Sequence, residues 1–117
     1  MVYALLIVRH CTSFSRIITA DCFWKSDAHY ALVMSLDLLL QISPSARILV
    51  IAGLHTGRTV VCQFLKLAKT QGLVPDENGI TEYDLLKGGT RPWEEDRGAE
   101  DTTEKKRWLI VTQLKRQ

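Results

Sequence analysis

No glycine precedes Gly53, although the chain has 7 in all. A glycine-rich phosphate cradle, which needs several close glycines so that backbone N–H groups can approach the ligand, is therefore excluded from everything upstream of that residue. Cysteine is scarce as well. Cys11, Cys22 and Cys62 cannot all pair, and their spacing fits no common zinc motif. His10, His29 and His55 do not repair this, because only the adjacent His10 and Cys11 lie close together. No metal site is expected, and free thiols in a reducing compartment, cytoplasmic or nuclear, are the simplest reading. The apolar run Tyr3–Val8 is far shorter than the ~20 residues of a membrane span. It lacks a basic segment before it and a small-residue cleavage site after it, so no signal peptide is expected. A net charge of +2 is too small to argue for nucleic acid or for a membrane surface as partner.

What is present suits one soluble domain. At 117 residues, with 46% apolar and 24% charged side chains, the chain can bury a real core. Its charges are uneven: ten of the 15 Lys/Arg and ten of the 13 Asp/Glu follow Arg58. A buried first half and a solvated second half are expected.

Arg16–Ala20, β-branched at Ile17, Ile18 and Thr19, reads as a short strand. Ser26 or Asp27 can cap a helix running to about Gln41, with Pro44 and its flanking serines ending it. Arg47–Ala52 is a near-continuous apolar run, as a strand covered on both faces requires. Gly53–Arg58 is a turn, and Val60, Val61, Phe64, Leu65, Leu67 and Ala68 give a helix from about Thr59 to Thr70, with Gly72 at its end. Ile80–Leu86 is a weaker strand, Lys87–Glu104 a solvated loop, and Arg107–Leu114 a strong strand. No helical pattern separates these last two strands, so they are expected to pair antiparallel. The pattern is β-α-β-α-β-β, half of an α/β sheet.

Gly53–Thr59 resembles a nucleotide-binding P-loop superficially, but its two glycines enclose one residue too few, and Arg58 replaces the lysine. In open parallel sheets, ligands sit beyond the carboxyl ends of the strands. Two such ends are visible, Asp21–Trp24 and Gly53–Arg58, both rich in Asp, His, Arg and Trp. His55 and Arg58 are candidates for binding an anion or orienting a substrate. The alternative is a tight strand-to-helix turn with a solvated histidine.

Ala20-Asp21-Cys22-Phe23-Trp24 with His29, and Val50 to Arg58 (VIAGLHTGR), resemble the C-terminal half of family 16 class I S-adenosylmethionine-dependent methyltransferases, of the kind labelled nicotinamide N-methyltransferase-like. Arg91-Pro92-Trp93 and Lys106-Arg107-Trp108-Leu109 extend the similarity, which covers about Ile17 to Arg116. It implies a partial Rossmann-like methyltransferase sheet over 17–117, preceded by a non-family segment 1–16. The strands would correspond to four, five, six and seven, in spatial order 4-5-7-6 with the last antiparallel.

The resemblance also assigns residues. Asp21 and Trp24 fall on a motif near methyl donor and acceptor, with Trp24 standing where a Tyr or Phe is usual. Asp21 and His55 are the expected acceptor-positioning pair, Asp21 and Trp24 the cofactor contacts, and His29, His55 and Arg58 the substrate loop. The cofactor would be S-adenosylmethionine and the acceptor an amine of a protein or small molecule. The cofactor loop, an acidic ribose-binding residue and three strands have no counterpart before Ile17, so this chain alone is expected to be inactive. The alternative is a non-catalytic half-domain serving as an interaction module. Two geometric expectations follow: Arg16–Ala20 and Arg47–Ala52 are adjacent parallel strands, and Asp21 and His55 share one sheet edge. Tyr3–Val8 is expected to cover the free edge of the first strand.

Overall fold

The computed structural model describes residues 14–23 and 25–117. Tyr3–Val8 and Trp24 lie outside the described residues. The fold is α/β, with one open mixed sheet of five strands in the order β1-β2-β5-β3-β4. The strands are β1 (Arg16–Ala20), β2 (Arg47–Gly53), β3 (Leu73–Asp84), β4 (Thr90–Pro92) and β5 (Trp108–Arg116). The helices are α1 (His29–Leu39), entered through a 3-10 turn at Ser26–Ala28, α2 (Arg58–Thr70) and the short α3 (Thr102–Arg107).

β1 and β2 are adjacent and parallel, with Arg16 opposite Arg47 and Ala20 opposite Ile51. Every other pairing is antiparallel, and β5 lies between β2 and β3. Along β2, burial alternates: Ile48, Val50 and Ala52 are buried, while Arg47, Leu49 and Ile51 are half-buried. The buried set faces Leu114, Thr112 and Ile110 of β5. It forms one cluster with Val33 and Leu36 of α1 and with Val61, Phe64 and Ala68 of α2. Those helical positions recur every three or four residues, the spacing that places side chains on one face of a helix. The ring of Phe64 meets Phe23 edge-on at 4.4 Å and His29 at 5.7 Å.

Several boundaries differ from the sequence expectation, each for a local reason. α1 stops at Leu39, because Leu40 is extended and pairs with Phe14 beside β1. The carbonyls left free there are taken by Arg116 from the end of β5, which donates to the backbone oxygens of Asp37 and Leu40 at 2.6 and 2.7 Å. α2 begins at Arg58 rather than Thr59, since Gly57, at φ 101°, makes the turn. β3 starts at Leu73, not Ile80. Its first part is hidden in the sequence by Pro75-Asp76-Glu77-Asn78-Gly79, which forms an irregularity in the register with β5 between Pro75 and Ile80. There Asp76 accepts from the Asn78 N–H and pairs with Arg47, and Thr112 donates to the Gly79 carbonyl. Leu85 and Leu86 belong to a turn and are exposed. The expected loop Lys87–Glu104 contains β4 and the start of α3, and Arg107 closes α3 instead of opening β5.

Among the described residues, β1 has a strand on one side only. The Ser15 carbonyl and the Asp21 N–H bond to β2, so the alternation of a strand turns the backbone groups of Ile18 to the open edge. Its side chain is 69% exposed. An unpaired edge beside an apolar side chain recruits other strands, and a charge there discourages it. Ile18→Lys is therefore expected to reduce concentration-dependent association, followed by light scattering, with an unchanged near-ultraviolet circular dichroism spectrum. Unchanged association would mean that the β1 edge is not the sticky one.

Candidate functional site

The parallel strands β1 and β2 end side by side, and their carboxyl ends build the site. Just past β1, the Asp21 N–H donates to the Ile51 carbonyl at 3.0 Å. Asp21 has a φ of 57°, and among the described residues no other non-glycine residue has a positive φ. Aspartate tolerates this left-handed conformation better than most residues, and such strain tends to collect where side chains are positioned for use. Past β2, Leu54 is buried and its N–H bonds to the Trp108 carbonyl, while the Gly57 N–H closes a turn onto the Leu54 carbonyl. This turn lifts His55 and Thr56 into solvent. A Cβ on Gly53 would lie 3.0 Å from Nδ1 of His55, so glycine there lets the imidazole fold back over the strand end.

Asp21 and His55 come together, as expected, around one hollow of about 240 Å³. Ala20, Ile51, Leu109 and Trp108 give it apolar walls, Leu85 closes it from the turn after β3, and Lys105 and Lys106 of α3 complete its lining. Leu85, Lys105 and Lys106 were not singled out in the sequence. The signal available was the basic Lys105-Lys106-Arg107 run directly before a strong strand.

The remaining candidates lie elsewhere. His29 is buried; its Nε2 lies 2.7 Å from the Phe23 carbonyl, to which it can only donate. It ties the chain after β1 onto the core and does not line the hollow. Arg58 is also buried. It donates to Glu82 at 2.6 and 2.9 Å, to Glu100 at 2.5 and 3.1 Å, and to the Glu94 carbonyl at 3.1 Å. With all three nitrogens engaged, it has none left for a phosphate or a substrate anion, and the P-loop reading loses its only cation. Among the described residues, no group of three His, Cys, Asp or Glu side chains is placed to hold a metal. Burial, and then the charge of Glu95, push the Cys62 thiol up, which disfavours the thiolate.

A larger hollow of about 600 Å³ lies at the start of α2, lined by Thr59, Cys62, Lys66 and the 95–100 segment. It borders an ion-pair cluster centred on Glu82, which is fully buried. Besides Arg58, this carboxylate accepts from Arg91 at 2.9 Å, Arg97 at 3.1 Å and the Glu94 N–H at 3.3 Å. Arg91 also stacks 3.6 Å from the centre of the Trp108 ring. Burial alone would raise the Glu82 pKa, but hydrogen bonds from Arg58, Arg97 and Arg91 outweigh it and hold the group at about 2. For Arg58, burial pulls the opposite way from its carboxylate partners, and the partners win, leaving it above its ordinary value. Nearby, Arg107 donates to both oxygens of Asp84, at 2.9 and 2.6 Å, and these bonds hold that carboxyl well below the usual range. The donors of the cluster turn inward on its carboxylates, with Arg91 Nη2 alone among them buried without a partner. The smaller hollow is the candidate site because it lies at the joint carboxyl ends of the parallel pair and gathers Asp21 and His55.

No protein-family model matches the chain, and no curated protein matches it either.

Glu82 is held below its ordinary value of 4.5, so its contribution is complete above that pH and is lost as pH falls towards about 2. Removing one partner of a buried ion cluster typically costs about 3–5 kcal/mol, because the others stay buried and unpaired. Glu82→Gln is expected to lose stability on that scale in urea at neutral pH. It should also show a shallower loss of stability than the parent over the acid window. Parallel slopes would show that the Glu82 carboxylate does not carry the cluster.

Proposed function

We propose that this chain carries the acceptor side of a class I S-adenosylmethionine-dependent methyltransferase site of the family 16 type, acting on an amine of a protein or small molecule. The observation that carries the reading is the meeting of Asp21 and His55 around one hollow at the carboxyl edge of the sheet. The strand order supports it: β1-β2-β5-β3, with β5 antiparallel to both neighbours, is the order 4-5-7-6 that the resemblance implies.

In this reading the Asp21 carboxylate draws and orients the acceptor amine. The His55 imidazole, which has no hydrogen-bond partner among the described residues, receives its proton. Trp108, Ile51 and Leu109 keep water from one side of the amine. Alignment of a neutral nucleophile is most of what a methyl transfer asks of its acceptor side. This hollow does not make a cradle for the whole donor, since about 240 Å³ is below the roughly 300 Å³ at which pockets for such ligands begin. Among the described residues the outer edge of β1 has no partner strand, which favours a second reading, an interaction module that completes its sheet against another chain.

The isolated chain is expected to form no S-adenosylhomocysteine above a heat-killed control. S-adenosylhomocysteine at high concentration should nonetheless shift the amide resonances of Asp21, Gly53 and His55, because the transferred group must meet the acceptor there. The shifts should vanish in Asp21→Ala/His55→Ala. A folded chain with no shift at these positions favours the interaction module and ends the methyltransferase reading.

A further inference from the structure

We infer that the hollow at the carboxyl edge takes a small amino carboxylate, in which an apolar spacer separates an ammonium end from a carboxylate end. The inference rests on the proposed acceptor role of Asp21 and His55, and adds the class of acceptor.

The first ground is an imbalance in how charges are used. Arg47, Arg58, Arg91, Arg97, Arg107 and Arg116 all face carboxylates. Around the hollow the opposite holds. Asp21, His55, Lys105 and Lys106 line it, and among the described residues none has an ion-pair or side-chain hydrogen-bond partner. Lys105 is half-buried and has no anion as a partner among the described residues. A carboxylate supplied from outside is the natural counter-ion, through charge-assisted hydrogen bonds.

The second ground is where the charges sit. Asp21 follows β1, and the lysines precede β5 on α3, with β2 between the two strands. β1 and β5 lie two strand spacings apart, roughly 10 Å, and Asp21 makes no ion pair with either lysine. The hollow therefore keeps its negative and positive groups apart. Ile51 and Leu109, on β2 and β5, supply an apolar wall. A ligand matching this layout places its amine towards Asp21 and His55 and its carboxylate towards Lys105 and Lys106. Several methylenes or one aromatic ring would span the gap. A plain amine would leave the lysines unanswered, and a plain carboxylate would face Asp21.

The test uses the full chain and three probes, 6-aminohexanoate, hexanoate and hexylamine, followed by amide chemical shifts. The two-ended probe is expected to bind about tenfold more tightly than either one-ended probe, shifting Asp21, His55, Lys105 and Leu109. Lys105→Gln/Lys106→Gln should weaken 6-aminohexanoate and hexanoate by a similar factor and leave hexylamine unchanged. Lys105→Glu/Lys106→Glu should transfer the preference to 1,6-diaminohexane, which guards against a merely damaged fold. Equal affinity for the three probes, or a preference indifferent to both lysine variants, overturns the inference. Lysine-dependent binding of 6-aminohexanoate without S-adenosylhomocysteine shifts keeps this site and removes the methyltransferase reading. Shifts from S-adenosylhomocysteine without that lysine dependence do the reverse.

Discussion

A single buried carboxylate organises much of this chain. Glu82 projects from β3 on the same side of the sheet as Ile110 and is completely enclosed. Burying an isolated carboxylate costs several kcal/mol, so it persists only where donors surround it. The donors come from three separate places: Arg58 at the start of α2, Arg91 on β4, and Arg97 with the Glu94 N–H in the segment that follows. Meeting at one point, they draw a polar stretch of chain against the end of the sheet, where apolar burial alone would not hold it. Arg97 adds a bond to the Pro92 carbonyl, and Arg58 lies 5.3 Å from the Trp93 ring.

The candidate site inherits its shape from that anchor. The segment pinned by Glu82 leads directly into α3, whose N-terminus Asp101 caps by accepting from the Glu104 N–H. Arg107, at the far end of α3, is locked to Asp84 of β3. With both ends of this short helix fixed, Lys105 and Lys106 are held over the sheet edge beside Trp108. The other wall depends on backbone rather than charge. The positive φ of Asp21, and the room above Gly53 that His55 fills, set the two polar groups facing it. Rigid elements thus deliver the walls of the hollow, and turns directly attached to them carry Asp21, His55 and Leu85.

The helices leave the two faces of the sheet unequal. α1 and α2 share the cluster built on Ile48, Val50, Ile110 and Leu114. On the opposite face Leu49, Ile51, Leu109 and Val111 are half-buried, and Ile18 and Tyr83 are exposed. Parallel strands are ordinarily covered on both faces. The parallel pair β1 with β2 thus departs from this habit among the described residues. It is also the part that bears Asp21 and His55.

The local elements were legible in the sequence because each is specified by neighbours along the chain. β1 shows as a β-branched run and β2 as an apolar run, and α2 shows as period-3.6 apolarity closed by Gly72. The carboxyl-end rule was enough to bring Asp21 and His55 to one edge. What the sequence left hidden depended on partners far along the chain. The stretch of β3 before Ile80 shows no strand pattern until β5 supplies its register, and β4 is a strand only because β3 pairs with it. Arg58 and His29 looked available because their residue types serve sites elsewhere. Burial beside Glu82 and Phe23 decided otherwise, and no local pattern records which charge another charge will meet. Lys105 and Lys106 fall between the solvated loop and the last strand and were not singled out as site residues. Only the folding of α3 onto the sheet edge brought them to the same hollow as Asp21, since that position is set by an ion cluster whose members span residues 58 to 107.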